Sequence, residues 1–197
     1  YVAKKIFRLG QPPNYDMNVL SSVNEEQLKA ELQRIKTLDW FLTNFFKEAT
    51  RLHVEVAHIE VVDAYIAQEV DQQNFWLIEP CRTSVVNHYS GTMNHPSQAH
   101  DGPSATLLAF AHFVYIWSKE QVVFADLQGV LLMFSGQDGV VLFDPMMHTV
   151  NMTGGLGDHG PAGIAKFLED HSCHVTCAQL GFTEKLKEDD KVDSDSG

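Results

Sequence analysis

Asp126 and Gln128 stand two residues apart in Phe124-Ala125-Asp126-Leu127-Gln128-Gly129-Val130, at the end of an apolar run. On a β-strand that spacing turns both side chains to one face and Ala125 and Leu127 to the other. A carboxylate beside a carboxamide offers hard oxygens, the donor type that Mg²⁺ and phosphate-handling sites use. Asp144 follows in Leu142-Phe143-Asp144-Pro145, and a hairpin turn at Gly136-Gln137-Asp138-Gly139 brings it back toward the first pair. Two carboxylates and an amide oxygen suit a Mg²⁺ that keeps several waters and binds a nucleotide's phosphates. Asp-Pro is also a common turn opener, so for Asp144 spacing alone leaves both readings open.

A second set carries soft donors. His171-Ser172-Cys173-His174-Val175-Thr176-Cys177 offers two thiols and two imidazoles within one short run. Cys173 and Cys177 are one helical turn apart and could grip one ion, with His171 or His174 as third ligand. A closed structural Zn²⁺ site needs a fourth, and His112, within the apolar run Thr106 to Trp117, is a candidate.

Gly154, Gly155, Gly157, Gly160 and Gly163 are dense enough to mark a loop whose backbone approaches something closely, or else a plain flexible loop. No Gly-Lys-Ser/Thr follows, which excludes the Walker pattern. Lys4, on the first strand, could meet phosphate oxygens with its ammonium, and Glu79, before Pro80, is either a solvated edge residue or a group that contacts a base. A metal-dependent hydrolase built from His95, His100, Asp101, Asp158 and His159 is a further reading, although their spacings match no compact ligand motif.

Positioning these residues requires an α+β fold. Tyr1 to Phe7 reads as a strand broken by Gln11-Pro12-Pro13-Asn14. Asn24 and Gln27 have capping-box spacing ahead of a long helix striped by Leu28, Leu32, Ile35, Leu38 and Leu42, thickened by Trp40, Phe41, Phe45 and Phe46. His53 to Tyr65 fits one or two strands and Asn74 to Cys81 another. Asn94 to Ser104 is a loop, Ala105 to Ser118 a buried helix, and Val122 to Leu127, Val130 to Phe134 and Val140 to Phe143 are strands. A final helix begins near Ile164, and the tail from Lys185 to Gly197 lacks an apolar face and reads as disordered.

The 197 residues fit one domain, or two lobes sharing a core. A net charge of −12, with 14 basic residues in no dense block, argues against nucleic acid and against anionic membranes as partners. No apolar stretch is long enough to span a bilayer as a helix. The 3 cysteines cannot all pair within one chain, and two of them sit among histidines, which suggests a reduced, intracellular (cytoplasmic) protein with a metal site.

Taken together, Ala3-Lys4, Ile78-Glu79-Pro80, Asp126-Leu127-Gln128-Gly129, Phe143-Asp144-Pro145, the glycine loop and His171-x-Cys173-x-x-x-Cys177 resemble the alpha-kinases. These are atypical Ser/Thr protein kinases that include the myosin heavy chain kinases. The resemblance runs from Tyr1 to about Phe182, and the hairpin between Gln128 and Asp144 and the Gly157-Asp158-His159-Gly160 stretch look most like the fungal branch.

The resemblance implies a two-lobed kinase fold with mixed and antiparallel sheets. Residues 1–80 would form part of the nucleotide-side lobe, lacking the strands that ordinarily precede Lys4, and 81–184 a zinc-stabilised catalytic lobe, with 185–197 as an acidic tail. It further implies that Lys4 pairs with the phosphates of ATP, that Glu79 lies in the hinge against adenine with Cys81 beside it, and that Asp126 is the catalytic carboxylate. Gln128 and Asp144 would coordinate Mg²⁺, and His112, His171, Cys173 and Cys177 would hold a structural Zn²⁺, which favours His171 over His174. Gly154, Gly155, Gly157 and Gly160 would serve the protein substrate. One position departs from the family: a Lys is usual where this chain has His88, in Asn87-His88-Tyr89. The activity implied is transfer of phosphate from ATP to Ser or Thr of a protein; the alternative is a catalytically weak nucleotide-binding or scaffold domain.

Overall fold

The computed structural model describes residues 1–6, 9–11, 14–16, 19–71, 73–82, 85–96, 98–134 and 137–182. The expected disordered tail, Phe7 and the Pro12-Pro13 break lie outside them.

One long helix, α1 (Ser21–Leu52), organises the N-terminal part. Its apolar residues recur every three or four positions, so one stripe faces inward: Leu28, Ile35, Leu38, Leu42 and Phe45 are buried. Trp40 departs from the expected thickening of that stripe and is 57% exposed, because its position falls on the opposite side of the helix. Asn24 departs too. The helix starts before it, and its carboxamide accepts from the Ile6 N–H and donates to the Phe75 carbonyl, so it ties the segment after the Val2–Lys4 strand to the Phe75–Glu79 strand instead of capping the helix. His53, in the left-handed region at φ 56°, ends α1 by donating its N–H to the carbonyls of Ala49 and Thr50.

α1 packs on a three-stranded antiparallel sheet of β1 (Val2–Lys4), β5 (Tyr65–Gln68) and β6 (Phe75–Glu79), in which β6 is central. A short hairpin, β2 (Leu9–Gln11) and β3 (Asn14–Asp16), stands between β1 and α1 in the chain. The run from His53 to Tyr65 yields β4 (His58–Val61), which leaves this sheet to pair in parallel with β10 (Gln137–Phe143). Strands from both sides of residue 80 therefore share one sheet, with order β4-β10-β9-β7, where β7 is Asn87–His88 and β9 is Gln128–Phe134. The main apolar core likewise joins Leu38, Phe41 and Phe45 of α1 to Phe110, Phe113, Phe124 and Cys177. The chain on both sides of residue 80 thus contributes to one sheet and to one core.

α2 (Gly102–Trp117) starts three residues before the expected helix. Asp101 and Ser104 form the capping box that the Pro-Gly content of this stretch obscured, with Asp101 accepting from the Ser104 N–H at 2.7 Å. The helix is apolar nearly all round and is accordingly buried.

The strand expected over Val122 to Leu127 stops earlier. β8 (Val122–Ala125) pairs with β11 (Met146–Thr149), in register Ala125↔Met146, while β9 pairs with β10 in register Gln128↔Phe143. Between these two ladders both strands break over the same interval, and Asp126 and Asp144 each take φ 49° at the break. The β9–β10 hairpin is also longer than expected, with Gln137-Asp138-Gly139 inside β10. The α3 helix (Gly160–Asp170) begins before Ile164, and a five-residue helix, α4 (Val175–Gln179), follows.

Gly163, in α3, fixes how that helix meets β11. A Cβ there would lie 2.3 Å from Cγ of the His148 ring, which is fully buried and held through Nε2 by the Thr92 carbonyl and through Nδ1 by the His159 N–H. The ring cannot move aside without losing both bonds. Gly163→Ala is expected to cost about 2–3 kcal/mol, read as a lower urea midpoint with unchanged m-value.

Candidate functional site

The break between the ladders opens onto a cleft of about 600 Å³ whose wall includes Lys4, Glu31, Arg34, Asp126, Gln128 and Asp144. Asp126 and Gln128 thus meet one space, but by a different route from strand alternation. Asp126 lies outside the strands, and its left-handed backbone lets it share the cleft with the first residue of β9. Asn and Asp tolerate this region better than most residues, and such outliers cluster where geometry is functional. The turn is tied down from behind: Gly91 O accepts from the Asp126 N–H, Ser90 Oγ accepts from the Leu127 N–H, and Leu127 O accepts from the Tyr89 N–H.

Lys4 reaches the cleft from β1. Its ammonium contacts Asp144 Oδ1 and lies 3.0 Å from Glu79 Oε2. Burial alone would lower its pKa, but the bonds and charges of Asp144 and Glu79 together outweigh that and raise it. Glu79 is not a solvated edge residue: it is 3% exposed, and its Oε1 is buried without a hydrogen-bond partner. Its carboxylate faces Lys4, which leaves backbone as the means by which this position could meet a base. Beyond it lies a hollow of about 230 Å³ between Val2, Pro80, Val86, Val130 and Phe143, with the Arg82 guanidinium 5.5 Å from the centre of the Phe143 ring. Cys81 is an exposed free thiol at the same bend, and His88 is exposed, directly across from Gln128 in the β7–β9 register.

Glu31 and Arg34 were not legible as site residues. They sit one turn apart on α1, flanking the apolar stripe, where helical spacing permits any polar residue. Burial, then the Asp144 charge, pushes the Glu31 carboxyl up to about 7, with Lys4 and Arg34 opposing. Carboxylate oxygens of Glu31, Glu79 and Asp144 lie within 4.8 Å of one another. The Lys4 ammonium, in contact with Asp144 and Glu79, and the Arg34 guanidinium both offset this cluster.

The soft donors converge. One donor atom each from His112, His171, Cys173 and Cys177 lies within 4.8 Å of the others. Cys173 Sγ is 3.5 Å from His112 Nδ1 and 3.7 Å from His171 Nε2, and Cys177 Sγ is 4.0 Å from His171 Nε2. Tetrahedral zinc with ordinary Zn–S and Zn–N bonds sets sulfur and nitrogen about 3.6 Å apart, so the set fits that ion. Burial holds both imidazoles neutral, the form that ligates, with His112 lowered to about 4 and His171 to about 3. Burial also pushes the Cys177 thiol up to about 11, so its thiolate needs a cation beside it. His174 plays a separate part, since its Nδ1 accepts from the Thr176 N–H and caps α4. Cys173 itself precedes α4, so the two thiols meet through the turn before the helix and not along one helical face.

The glycine loop is built, not slack. Asp158 accepts from the N–H groups of Thr149, Gly154 and Gly160 and from the Thr149 hydroxyl, at 2.7–3.0 Å. Burial would raise its pKa, but these bonds hold it below the ordinary carboxylate value. Gly155 and Gly157 take φ 87° and 83°, and Gly160, which opens α3, takes 60°. The residues of the hydrolase reading are dispersed among structural roles. Asp101 caps α2, Asp158 ties the loop, the His159 N–H holds His148, and His95 packs edge-on against Phe167 with its pKa lowered by burial to about 4. Among the described residues they form no metal-binding group. A second cavity of about 360 Å³, behind the Asp126 turn against Leu107, Phe124, Leu127 and Phe167, contains none of the cleft's charged residues.

Residues 1–177 match the family model described as "Alpha-kinase family". Myosin heavy chain kinase A of Dictyostelium discoideum is 40% identical over 83 residues, 42% of this chain and 6% of that protein. Myosin heavy chain kinase B of the same organism is 29% identical over 136 residues, 68% of this chain and 18% of that protein. The chain thus spans under a fifth of either relative. The crystal structure of the alpha-kinase domain of myosin-II heavy chain kinase A in complex with AMP-PNP superposes with a TM-score of 0.67, at 24% identity, over 87% of this chain and 62% of that one.

Proposed function

Because this chain belongs to the alpha-kinase family, we propose that it is an ATP-dependent protein serine/threonine kinase. One observation carries the reading. Lys4 and Asp144, 140 positions apart, are brought into contact in a cleft that Asp126 and Gln128 also line.

In this reading the hollow between Val2, Pro80, Val130 and Phe143 takes the adenine, with backbone of the Glu79–Cys81 bend as its polar edge. Lys4 moves from carboxylate to phosphate oxygens and holds the triphosphate in line. Asp126 orients the substrate hydroxyl and accepts its proton as the hydroxyl oxygen bonds to the γ-phosphorus, while the bond to the β–γ bridging oxygen breaks and ADP leaves. Gln128 and Asp144 supply oxygens for Mg²⁺, which when bound offsets the charge of the β and γ phosphates. His88 stands where the family has Lys, and an imidazole presents less fixed positive charge than an ammonium, so turnover is expected to be slower than with Lys there. The His112, His171, Cys173 and Cys177 cluster holds a structural Zn²⁺, and Gly154, Gly155, Gly157 and Gly160 form the platform for the protein substrate. The net charge of −12 favours a substrate segment rich in Lys or Arg.

The test is transfer of labelled γ-phosphate from Mg-ATP to a Ser- and Thr-containing basic peptide. Wild type should label it, and Asp126→Asn, which keeps the shape but not the base, should fall by about 10²–10⁴-fold. Equal labelling by both would refute the assignment of Asp126. No labelling by wild type, restored by His88→Lys, would mark the chain as a weakened member of the family.

A further inference from the structure

We propose that Arg34 is a positioning residue that locks the Asp144-Pro145 turn and the glycine loop to α1 as one rigid unit, so that the nucleotide side and the substrate side of the cleft keep a fixed register. This deepens the kinase reading and rests on it for its activity readouts. Arg34 is 8% exposed, an unusual place for a guanidinium, and it is committed to two backbone carbonyls. Its Nε donates to Pro145 O at 3.1 Å and its Nη1 to Gly154 O at 3.2 Å. Pro145 directly follows the left-handed Asp144, and Gly154 opens the glycine loop. Neither carbonyl lies within a strand or helix, so neither has a ladder to satisfy it.

The loop is gripped from its other side by Asp158, which accepts from the Gly154 N–H at 2.7 Å. Gly154 is therefore held by a cation on its carbonyl and by an anion on its amide. Gly155 completes the fit. A Cβ at that residue would fall 2.4 Å from Arg34 Nη1, so the absence of a side chain there is what lets the guanidinium reach the loop. Lys cannot replace this geometry, because a single ammonium lacks the planar fork that serves two acceptors set apart along the chain. Phosphoryl transfer depends on alignment more than on covalent chemistry, so loosening this strut should cost substrate positioning first.

The experiment compares wild type with Arg34→Lys, which keeps charge and most packing, and with Gly155→Ala, which disturbs the contact from the loop side. Amide hydrogen exchange of residues 153–158 is expected to quicken about tenfold in both, with exchange in β9 and β10 unchanged. With the basic peptide, peptide KM is expected to rise about tenfold while KM for ATP stays within about twofold. Unchanged exchange in the loop overturns the proposal even if wild type proves inactive, since that readout needs no turnover. Equal rises in both KM values, with faster exchange throughout the sheet, also overturn it and reduce Arg34 to general stability.

Discussion

Prolonged treatment with a strong chelator is expected to convert the protein from a cooperatively folded chain into one without a defined melting transition, with elemental analysis of untreated protein giving about one zinc per chain. The size of the effect follows from where the four donors sit. His112 is 0% exposed in the middle of α2, and Cys177 belongs to the same core as Phe45, Phe110 and Phe124. Structural zinc contributes on the order of 10 kcal/mol in small sites, comparable with the whole stability of a typical domain. Without the ion, two neutral imidazoles and two thiols are left facing one another, and His112 Nε2 and His171 Nδ1 are already buried without partners. Cys177→Ser should reproduce the loss, whereas Cys81→Ser, at an exposed thiol, should leave the melting temperature unchanged. Metal-free protein that melts as sharply as the untreated sample would refute the zinc assignment.

Lys4→Met is expected to remove phosphate transfer and also to destabilise the fold, which makes it a misleading loss-of-function control. Glu79 is 3% exposed and Lys4 is the cation on its carboxylate, so removing the ammonium strands a buried negative charge. Breaking a buried pair costs about 3–5 kcal/mol; with the Lys4 side chain 31% exposed, about 2–4 kcal/mol is the fitting range. Adding Glu79→Gln should recover most of that stability, because the orphaned charge is then gone, while transfer stays absent. Urea unfolding of the single and double variants checks the first half, and the labelled-phosphate assay the second. A single variant as stable as wild type would show that Glu79 finds another partner.

Much of this architecture was readable from residue periodicity. The Leu28-to-Leu42 stripe becomes the buried face of α1 because a helix repeats every 3.6 residues whatever it packs on. The nearness of Cys173 and Cys177 to a histidine was readable too, since they lie close in sequence, but spacing left His171 and His174 equivalent, and the preference for His171 came from the family resemblance. What escaped was of two kinds. Local conformation overrode pattern where Asp126 and Asp144 turn left-handed, an option that no apolar alternation reveals. Long-range pairing hid the roles of Glu31, Arg34, Asn24 and Glu79, whose partners are strands and turns brought near only by the fold. Asn24 shows the trap: its spacing from Gln27 imitates a cap, yet its carboxamide joins Ile6 to Phe75.

The paired break at Asp126 and Asp144 also separates what can vary from what cannot. Both carboxylates belong to the root of the β9–β10 hairpin, where Gln128 pairs with Phe143. Lengthening the hairpin at its far end by equal amounts on each strand leaves the root register intact, whereas one extra residue in a single strand would slip the pairing and turn every side chain to the other face. The hairpin is therefore a natural graft point. A peptide epitope or a reporter spliced between residues 134 and 137 should leave the cleft as it is.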